Sequence, residues 1–154
     1  MRFPTVTGSN LEHRSFTLPR DLEGETNLVI LAFWRDHQML VDTWMPLARR
    51  LQARHPSFVA YELPVIESRS RLSQWIIDRG MRAGIPDRSV REHVITLYVD
   101  KVEFLASLGI DDDSTIHTLL IDPAGHILWR ASGPLDPAKE EALSEFLEPC
   151  PTAA

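Results

Sequence analysis

Cysteine is nearly absent from the chain. Its one cysteine, Cys150, stands between two prolines near the end of the 154 residues. A single cysteine cannot form an internal disulfide or supply a cysteine metal cluster. We expect a free thiol on a disordered tail over residues 149–154, because chain ends that nothing ties down are usually mobile. Disulfide exchange within one copy of the chain is therefore excluded.

Long apolar runs and excess positive charge are absent too. The longest apolar run, Leu28–Trp34, has the length of a strand and falls far short of the roughly 20 residues that a membrane-spanning helix needs. The net charge is −6, which argues against nucleic acid or an anionic membrane as the main partner. The start of the chain carries no apolar stretch of the kind found in secretion signals, and we expect a cytoplasmic protein.

Motifs for common cofactors and metals are missing as well. The six histidines form no pair at the spacing of zinc ligands. The run Asp111–Asp113 lacks the later Gly and Glu of a calcium loop and is better explained as a solvated turn. No phosphate-binding glycine loop and no serine-nucleophile motif is present. The sequence thus predicts neither a cofactor nor a metal site.

Strand and helix signals alternate along the chain. Apolar, β-favouring runs predict strands at Phe16–Pro19, Leu28–Trp34, Phe58–Leu63, Val94–Val99, Thr115–Ile121 and His126–Ala131. Helical spacing and capping signals predict helices at about 37–54, from Ser70 to Gly80, at Lys101–Leu108 and from Pro137 to Leu147. We expect Asp36 to cap the first helix, Pro46 to kink it, Trp44 to lie on its buried face beside Phe33, and Pro64 to end the second long strand. This order predicts a mixed sheet in a single domain over residues 1–148, with about 65–92 as an insertion.

Two local patterns point to a known architecture. Phe33 and Trp34 end the longest apolar run, and Pro46 lies within the helix that follows. Residues 119–127 read apolar-apolar-apolar-Asp-x-x-Gly-x-Ile, from Leu119 to Ile127. In this order the patterns resemble the thioredoxin-like superfamily. The resemblance implies an α/β fold, a three-layer thioredoxin-like sandwich whose mixed central sheet has flanking helices and a C-terminal β-hairpin plus helix.

Shorter matches narrow the resemblance. The lead-in Phe16–Pro19 with Gly24 is similar to the first strand of the peroxiredoxin-like branch. A weaker similarity, to the mitochondrial ATP synthase assembly factor family, rests on Trp44-x-Pro46, Leu108-Gly-Ile110, Trp129 and Gly133. Members of that family resemble peroxiredoxins without their cysteines. This similarity implies an assembly factor that binds another protein.

The resemblance also locates the redox positions of the superfamily. Its C-x-x-C pair ends five residues before the helix proline, so the two cysteines correspond here to Gln38 and Val41. The cis-proline that faces those cysteines, six residues before the hairpin Asp, corresponds to Ile116. Thiol-disulfide and thiol-peroxidase chemistry both require a thiolate. The resemblance therefore implies a domain that has lost this chemistry.

The start of the first helix remains a candidate binding site. Its free backbone donors, with Arg35 and His37 beside them, can hold an anion or a carboxylate. Alternatively, Asp36 caps those donors and His37 faces water. The resemblance implies that ligands bind at this end of the sheet, where the residues are Arg35, Asp36, His37, Gln38, Ile116 and His117.

A second candidate surface lies in the insertion. Between residues 67 and 92 there are six arginines against four acidic residues, a net charge of +2 in a chain of net −6. This segment is either a docking surface for an acidic partner, through residues such as Arg79 and Arg82, or a solvated insertion with local ion pairs worth about 0–1 kcal/mol each. We expect Arg35 and His37 to contribute more to partner capture than Arg79 and Arg82.

Taken together, these features favour a binding or assembly module without redox activity. We expect it to hold a protein or peptide partner, and a second copy of the chain is one candidate. The alternative is an enzyme that uses non-thiol groups in the same crevice, namely Arg35, His37 and Gln38. Catalysis would need a third polar group that converges on them. The sequence shows no such group, so it favours binding.

Overall fold

Seven strands form one mixed sheet in the computed structural model, which describes residues 2–10, 12, 14–67 and 93–147. The strands are β1 (Val6–Asn10), β2 (Ser15–Leu18), β3 (Thr26–Ala32), β4 (Phe58–Glu67), β5 (Ile95–Val99), β6 (His117–Ile121) and β7 (Ile127–Ser132). Three helices are described: α1 (Gln38–Arg54), which follows a 3₁₀ turn at Arg35–His37, α2 (Lys101–Ser107) and α3 (Pro137–Leu147). No helix within these ranges combines the length and apolar character needed to cross a membrane.

The order of the strands in the sheet determines which loops meet. It is β2-β1-β5-β4-β3-β6-β7, with β3 parallel to β4 and β4 parallel to β5, and the other neighbours antiparallel. The carboxyl ends of β3, β4 and β5 therefore share one edge with the beginning of β6. The described loops at this edge start at Phe33, Asp100 and Asp111. We call it the working end.

Both faces of the sheet are buried. Val29 and Leu31 of β3 face a core that includes Phe104 of α2, whereas Leu28 and Ile30 face a core built with α1 and Leu143 of α3. This explains the uninterrupted apolar run of β3, which is typical of a strand covered on both sides. The predicted three-layer arrangement of a mixed sheet between helices is confirmed.

The buried position of Trp44 is confirmed, but its predicted neighbour is wrong. Trp44 is fully buried and its indole N–H donates to the carbonyl of Gly133 at 3.1 Å. It packs edge-on against Trp129, with ring centroids 6.2 Å apart. Phe33 lies in the core on the opposite face of the sheet. Phe33, just after β3, and Trp44, in α1, therefore lie on opposite faces of the sheet.

Strand β1 was not expected from the sequence. Its residues, Val6-Thr-Gly-Ser-Asn10, include only two that favour strands, Val6 and Thr7, and the strand exists because it pairs with β2 on one side and β5 on the other. Gly8 permits the approach to β5: a Cβ added there would lie 2.5 Å from the carbonyl oxygen of Thr96. Pairing across the sheet, rather than local propensity, makes this segment a strand.

Proline 64 does not end β4, contrary to expectation. The strand continues to Glu67, and Pro64 lies opposite Ala32 in the last residue pair between β4 and β3. A proline lacks the N–H that a sheet ladder needs. At the point where β4 loses its neighbour β3, the missing donor disturbs the ladder little, and the strand goes on beside β5.

The remaining expectations concern the hairpin turn, helix α1, the insertion and the tail. The hairpin turn between β6 and β7 contains Gly125 at φ 92°, as the Asp-Pro-Ala-Gly sequence indicated. Helix α1 runs through Pro46 for 17 residues. Residues 65–67 of the expected insertion belong to β4. The expected helix from Ser70, the arginines of the insertion and the tail at 149–154 lie outside the described residues.

Candidate functional site

Three segments meet at the working end and are joined by hydrogen bonds. The indole N–H of Trp34, just after β3, donates to the carbonyl of Asp113 at 3.0 Å. The ammonium of Lys101, at the start of α2, donates to the carbonyl of Phe33 at 3.2 Å. These links fix the 3₁₀ turn and α1 relative to the loop before β6 and to α2.

His37 is buried and forms the centre of this arrangement. Its side chain is 5% exposed. Its Nδ1 accepts from the backbone N–H of Phe33 at 3.1 Å, and its Nε2 lies 3.2 Å from the carbonyl of Ser114. A carbonyl can only accept, so Nε2 is the donor in that contact. The alternative that His37 faces water is wrong because the residue is buried, and its binding role stays a prediction.

The predicted cap on α1 is not formed either. Asp36 lies within the 3₁₀ turn and is exposed, while the N-cap residue is His37, whose side chain makes no capping hydrogen bond. The turn leads the backbone into the helix, which removes the extended geometry that a capping Asp uses. Arg35 contributes its backbone to the turn. Its binding role, like those of Asp36 and Gln38, stays a prediction.

The two positions of the superfamily's cysteines differ in exposure. Gln38 is exposed, and its amide donates to the carboxylate of Asp42 at 3.0 Å. Val41 is fully buried in the core beneath α1. Neither side chain offers a nucleophile. The helix start therefore presents an amide and a carboxylate, whereas thiol chemistry would require a cysteine there.

Ile116 and His117 lie opposite the start of α1 as expected, but only one of them can be reached. Ile116 is fully buried, and its carbonyl accepts from the N–H of Gly133 at 2.9 Å. Its side chain lies in the core, and its binding role stays a prediction. His117 is half-buried, packs edge-on against Phe33 at 5.9 Å, and places Nε2 2.7 Å from the carbonyl of Asp112. Its binding role stays a prediction.

Lys101 contacts Phe33, Trp34 and Asp113 at the working end, although it was not among the predicted site residues. Its side chain is 14% exposed, and its Nζ lies 3.7 Å from the centre of the Trp34 ring and 3.8 Å from the Asp113 carboxylate. A cation over an indole face is an attractive arrangement. A signal was present: Lys101 is one of only two lysines in a chain with fourteen arginines. Its position directly after a predicted strand end was a second signal.

A buried carboxyl group lies below the helix start and was also missed. Glu62, in the middle of β4, is 7% exposed. Burial raises its pKa to about 7, the charge of Asp42 acts in the same direction, and a hydrogen bond from Gln38 partly offsets both. An acidic residue inside an otherwise apolar strand was the available signal. The group can hold a proton near neutral pH, but it is shielded from solvent.

Metal-binding groups can be sought only among the residues that the structure describes. Among residues 2–10, 12, 14–67 and 93–147, no group of three or more His, Cys, Asp or Glu residues is placed to hold a metal ion. Arg79 and Arg82 lie outside these residues, and so does Cys150.

Several solved structures are similar to this chain over nearly its whole length. No protein-family model and no curated protein matches the sequence. A thiol:disulfide interchange protein from Bacteroides sp. matches at a TM-score of 0.64 and 19% identity, covering 96% of this chain and 88% of that one. BsSco, of the Sco family of cytochrome c oxidase assembly proteins, matches at 0.65 and 16%, covering 96% and 92%. A thioredoxin-like protein from Aeropyrum pernix matches at 0.55 and 11%, covering 94% and 89%.

The fold is thioredoxin-like. At these identities the likeness shows the fold alone. The expected thioredoxin-like fold is therefore confirmed, whereas the peroxiredoxin-like branch and the assembly factor family are not supported.

Several large apolar side chains are exposed at the working end. Among the described residues five large apolar side chains are exposed, and three of them lie at this end: Trp34 at 56%, Met39 at 78% and Val102 at 78%. We call these three residues the apolar platform. A monomeric protein scatters exposed apolar side chains singly, and a concentration of them marks a contact surface. The geometry can therefore hold an apolar group of a ligand.

Proposed function

We propose that this thioredoxin-like domain is a binding or assembly module without redox activity that holds a polypeptide partner at the working end. The observation that carries the proposal is the apolar platform of Trp34, Met39 and Val102 at the end of the sheet that has neither of the superfamily's cysteines. Apolar contacts bind a partner without any chemical step.

The lack of a cysteine at positions 38 and 41 supports the lack of redox activity. Gln38 and Val41 stand at the two cysteine positions, and the one cysteine of the chain is at position 150. A dithiol cycle needs two sulfurs that can approach each other. We expect no turnover in insulin reduction or thiol-peroxidase assays, and no change on Cys150→Ser. Turnover above background that disappears in Cys150→Ser would contradict this part of the proposal.

The rigidity of the platform's base supports a binding role. Trp34 is held by its hydrogen bond to Asp113 and by Lys101 against its ring, and the turn beneath it is held by His37. A surface that is already ordered loses little conformational freedom when a partner binds. The platform is thus prepared for contact before the partner arrives.

The alternative, an enzyme with non-thiol groups, receives little support from the geometry around His37. Both nitrogens of His37 bond to backbone groups, so neither is available to move a proton of a substrate. Glu62 has a pKa raised to about 7 but is 7% exposed. With His37 occupied and Glu62 shielded, binding is the better supported function.

Finer parts of the proposal rest on the sequence. A role in assembling another protein follows the short similarity to the mitochondrial ATP synthase assembly factor family, and one structural neighbour belongs to a family of cytochrome c oxidase assembly proteins. A cytoplasmic location and a second copy of the chain as partner also stay predictions.

Selection from a displayed library of random peptides tests the proposed function. The full chain is immobilised and peptides are enriched over several rounds. We expect enriched peptides whose binding falls by at least about tenfold in the double variant Met39→Asp/Val102→Asp, because charge on the platform removes its apolar contacts. The matched control is Leu128→Asp, which changes an exposed apolar residue of β7. Peptides that bind the wild type and the platform variant equally would contradict the proposal.

A further inference from the structure

We propose that the apolar platform takes a basic polypeptide segment, in which an apolar side chain is flanked by Lys or Arg. This inference rests on the proposed function and names the chemistry of its partner. The evidence for it is the set of charged side chains around Trp34, Met39 and Val102.

Carboxylates surround the platform on three segments. The exposed acidic residues at the working end are Asp36 and Asp42 beside the start of α1, Asp100 and Glu103 at the start of α2, and Asp111 and Asp112 in the loop before β6. The topology brings these segments to one edge of the sheet, and the bonds of Trp34 and Lys101 join them directly. Described carboxylates therefore lie on all three segments around the platform.

Among the described side chains of this end, the basic groups are engaged within the fold. Lys101 is 14% exposed and directs its ammonium to the Phe33 carbonyl, the Trp34 ring and the Asp113 carboxylate. His37 is buried, and both of its ring nitrogens bond to backbone groups. Among the side chains that the structure describes at the working end, the acidic ones are exposed and the basic ones are engaged. An acidic partner would meet repulsion here, and a basic one would meet attraction.

Asp112 also keeps its negative charge over a wide pH range. Hydrogen bonds from the Ser114 hydroxyl and backbone N–H lower the pKa of its carboxyl. The loop before β6 thus presents a carboxylate that stays ionised in mildly acidic solution.

An apolar centre with a charged rim is a common arrangement of binding surfaces. Burial of apolar side chains contributes most of the affinity, and complementary charges at the rim speed association and select among partners. Of the surface of Trp34, 56% stays exposed after Lys101 has covered part of the ring. This leaves room for an apolar or aliphatic group of the partner, while its Lys or Arg side chains reach the rim.

The composition of the selected peptides tests the inference. Among peptides that depend on Met39 and Val102, we expect an excess of Lys and Arg over Asp and Glu. One such peptide is then synthesised together with an isomer in which each Lys or Arg is replaced by Gln. The basic form should bind at least about fivefold more tightly in dilute buffer, and the difference should shrink in concentrated salt because screening weakens rim charges.

Charge reversal on the protein provides the matched variants. Asp36→Lys/Asp111→Lys changes two exposed carboxylates of the rim, and Glu141→Lys/Glu145→Lys changes two exposed carboxylates of α3 by the same total charge. The first pair should remove the preference for the basic peptide, and the second should leave it, with melting temperatures unchanged in both. Retention of the preference in Asp36→Lys/Asp111→Lys would overturn the inference.

The outcomes separate the inference from the proposed function. Selected peptides that depend on Met39 and Val102 but are neutral or acidic would overturn the basic partner and leave the binding module standing. If no selected peptide depends on the platform, both fail. Concentration-dependent self-association that blocks peptide capture and is lost in Asp36→Lys/Asp111→Lys would make a second copy the occupant, and a separate basic partner would be wrong.

Discussion

Each end of the sheet contains a histidine, and the two histidines differ in burial and in hydrogen-bond partners. At the working end His37 is buried and bonded to two backbone groups, and large apolar side chains are exposed around it. At the opposite end, near the β6–β7 turn, His126 is exposed and bonded to the Asp122 carboxylate at 2.9 Å and to Arg2. The working end thus combines a fixed interior with an uncovered apolar surface.

Removing the support beneath the working end should have the largest effect. Trp44→Ala leaves a cavity between α1 and Trp129 and an unsatisfied carbonyl at Gly133, so we expect a loss of about 3–5 kcal/mol in the free energy of unfolding. Chemical denaturation measures this loss. Trp44→Phe, which keeps most of the packing, serves as the control. A loss below about 1 kcal/mol would show that α1 is not anchored by this residue.

The buried carboxyl group predicts a pH dependence of stability. The pKa of Glu62 is raised from 4.5 to about 7, so the folded protein binds its proton more tightly than the unfolded chain does. The free energy of unfolding should therefore fall as the pH rises between these two values, by about 2–3 kcal/mol from this group, and change no further above pH 7.

Substitution of that carboxyl group isolates its contribution. Glu62→Gln should flatten this decline and raise the stability of the protein at pH 8, as measured by denaturation at a series of pH values. Asp36→Asn, at an exposed carboxyl of the same end, is the control and should leave the decline in place. An equal decline in Glu62→Gln and the wild type would assign the pH dependence to other groups.

The two histidines give the most direct test of the contrast between the ends. His37→Ala leaves the buried N–H of Phe33 without its acceptor, and we expect a cost of about 1–2 kcal/mol. His126→Ala removes an exposed side chain, and its cost should stay within about 0.5 kcal/mol. Thermal or chemical denaturation of both variants under one condition measures the difference. Equal costs would break the distinction between the two ends.

Local signals in the sequence were sufficient for most of the elements. The apolar run of β3, the Asp-Pro-Ala-Gly turn and the proline at the start of α3 each specify structure through their own residues. Strand β1 was missed because its pairing with β5 depends on residues almost ninety positions away. The pattern that predicts a strand is weak where the partner strands supply most of the stability.

The site could be located from the sequence but not described. The resemblance pointed to the correct end of the sheet, with Gln38 and Val41 at the cysteine positions. The burial of His37 was not predictable, because its partner Ser114 is 77 residues away in the chain. Lys101 and Glu62 were missed for the same reason, since their roles arise only when α2 and β4 meet the end of β3. Burial and charge of single residues depend on the whole fold.

Chemical-shift mapping tests the central claim, which is where a partner binds. A peptide selected on the full chain is titrated into ¹⁵N-labelled protein, and the changes in amide resonances are followed. If the partner binds at the working end, changes will concentrate at residues 34–42, 100–103 and 111–117, with little change around the β6–β7 turn at 122–127. Changes concentrated at 69–91, the segment with Arg79 and Arg82, or at the turn would contradict it.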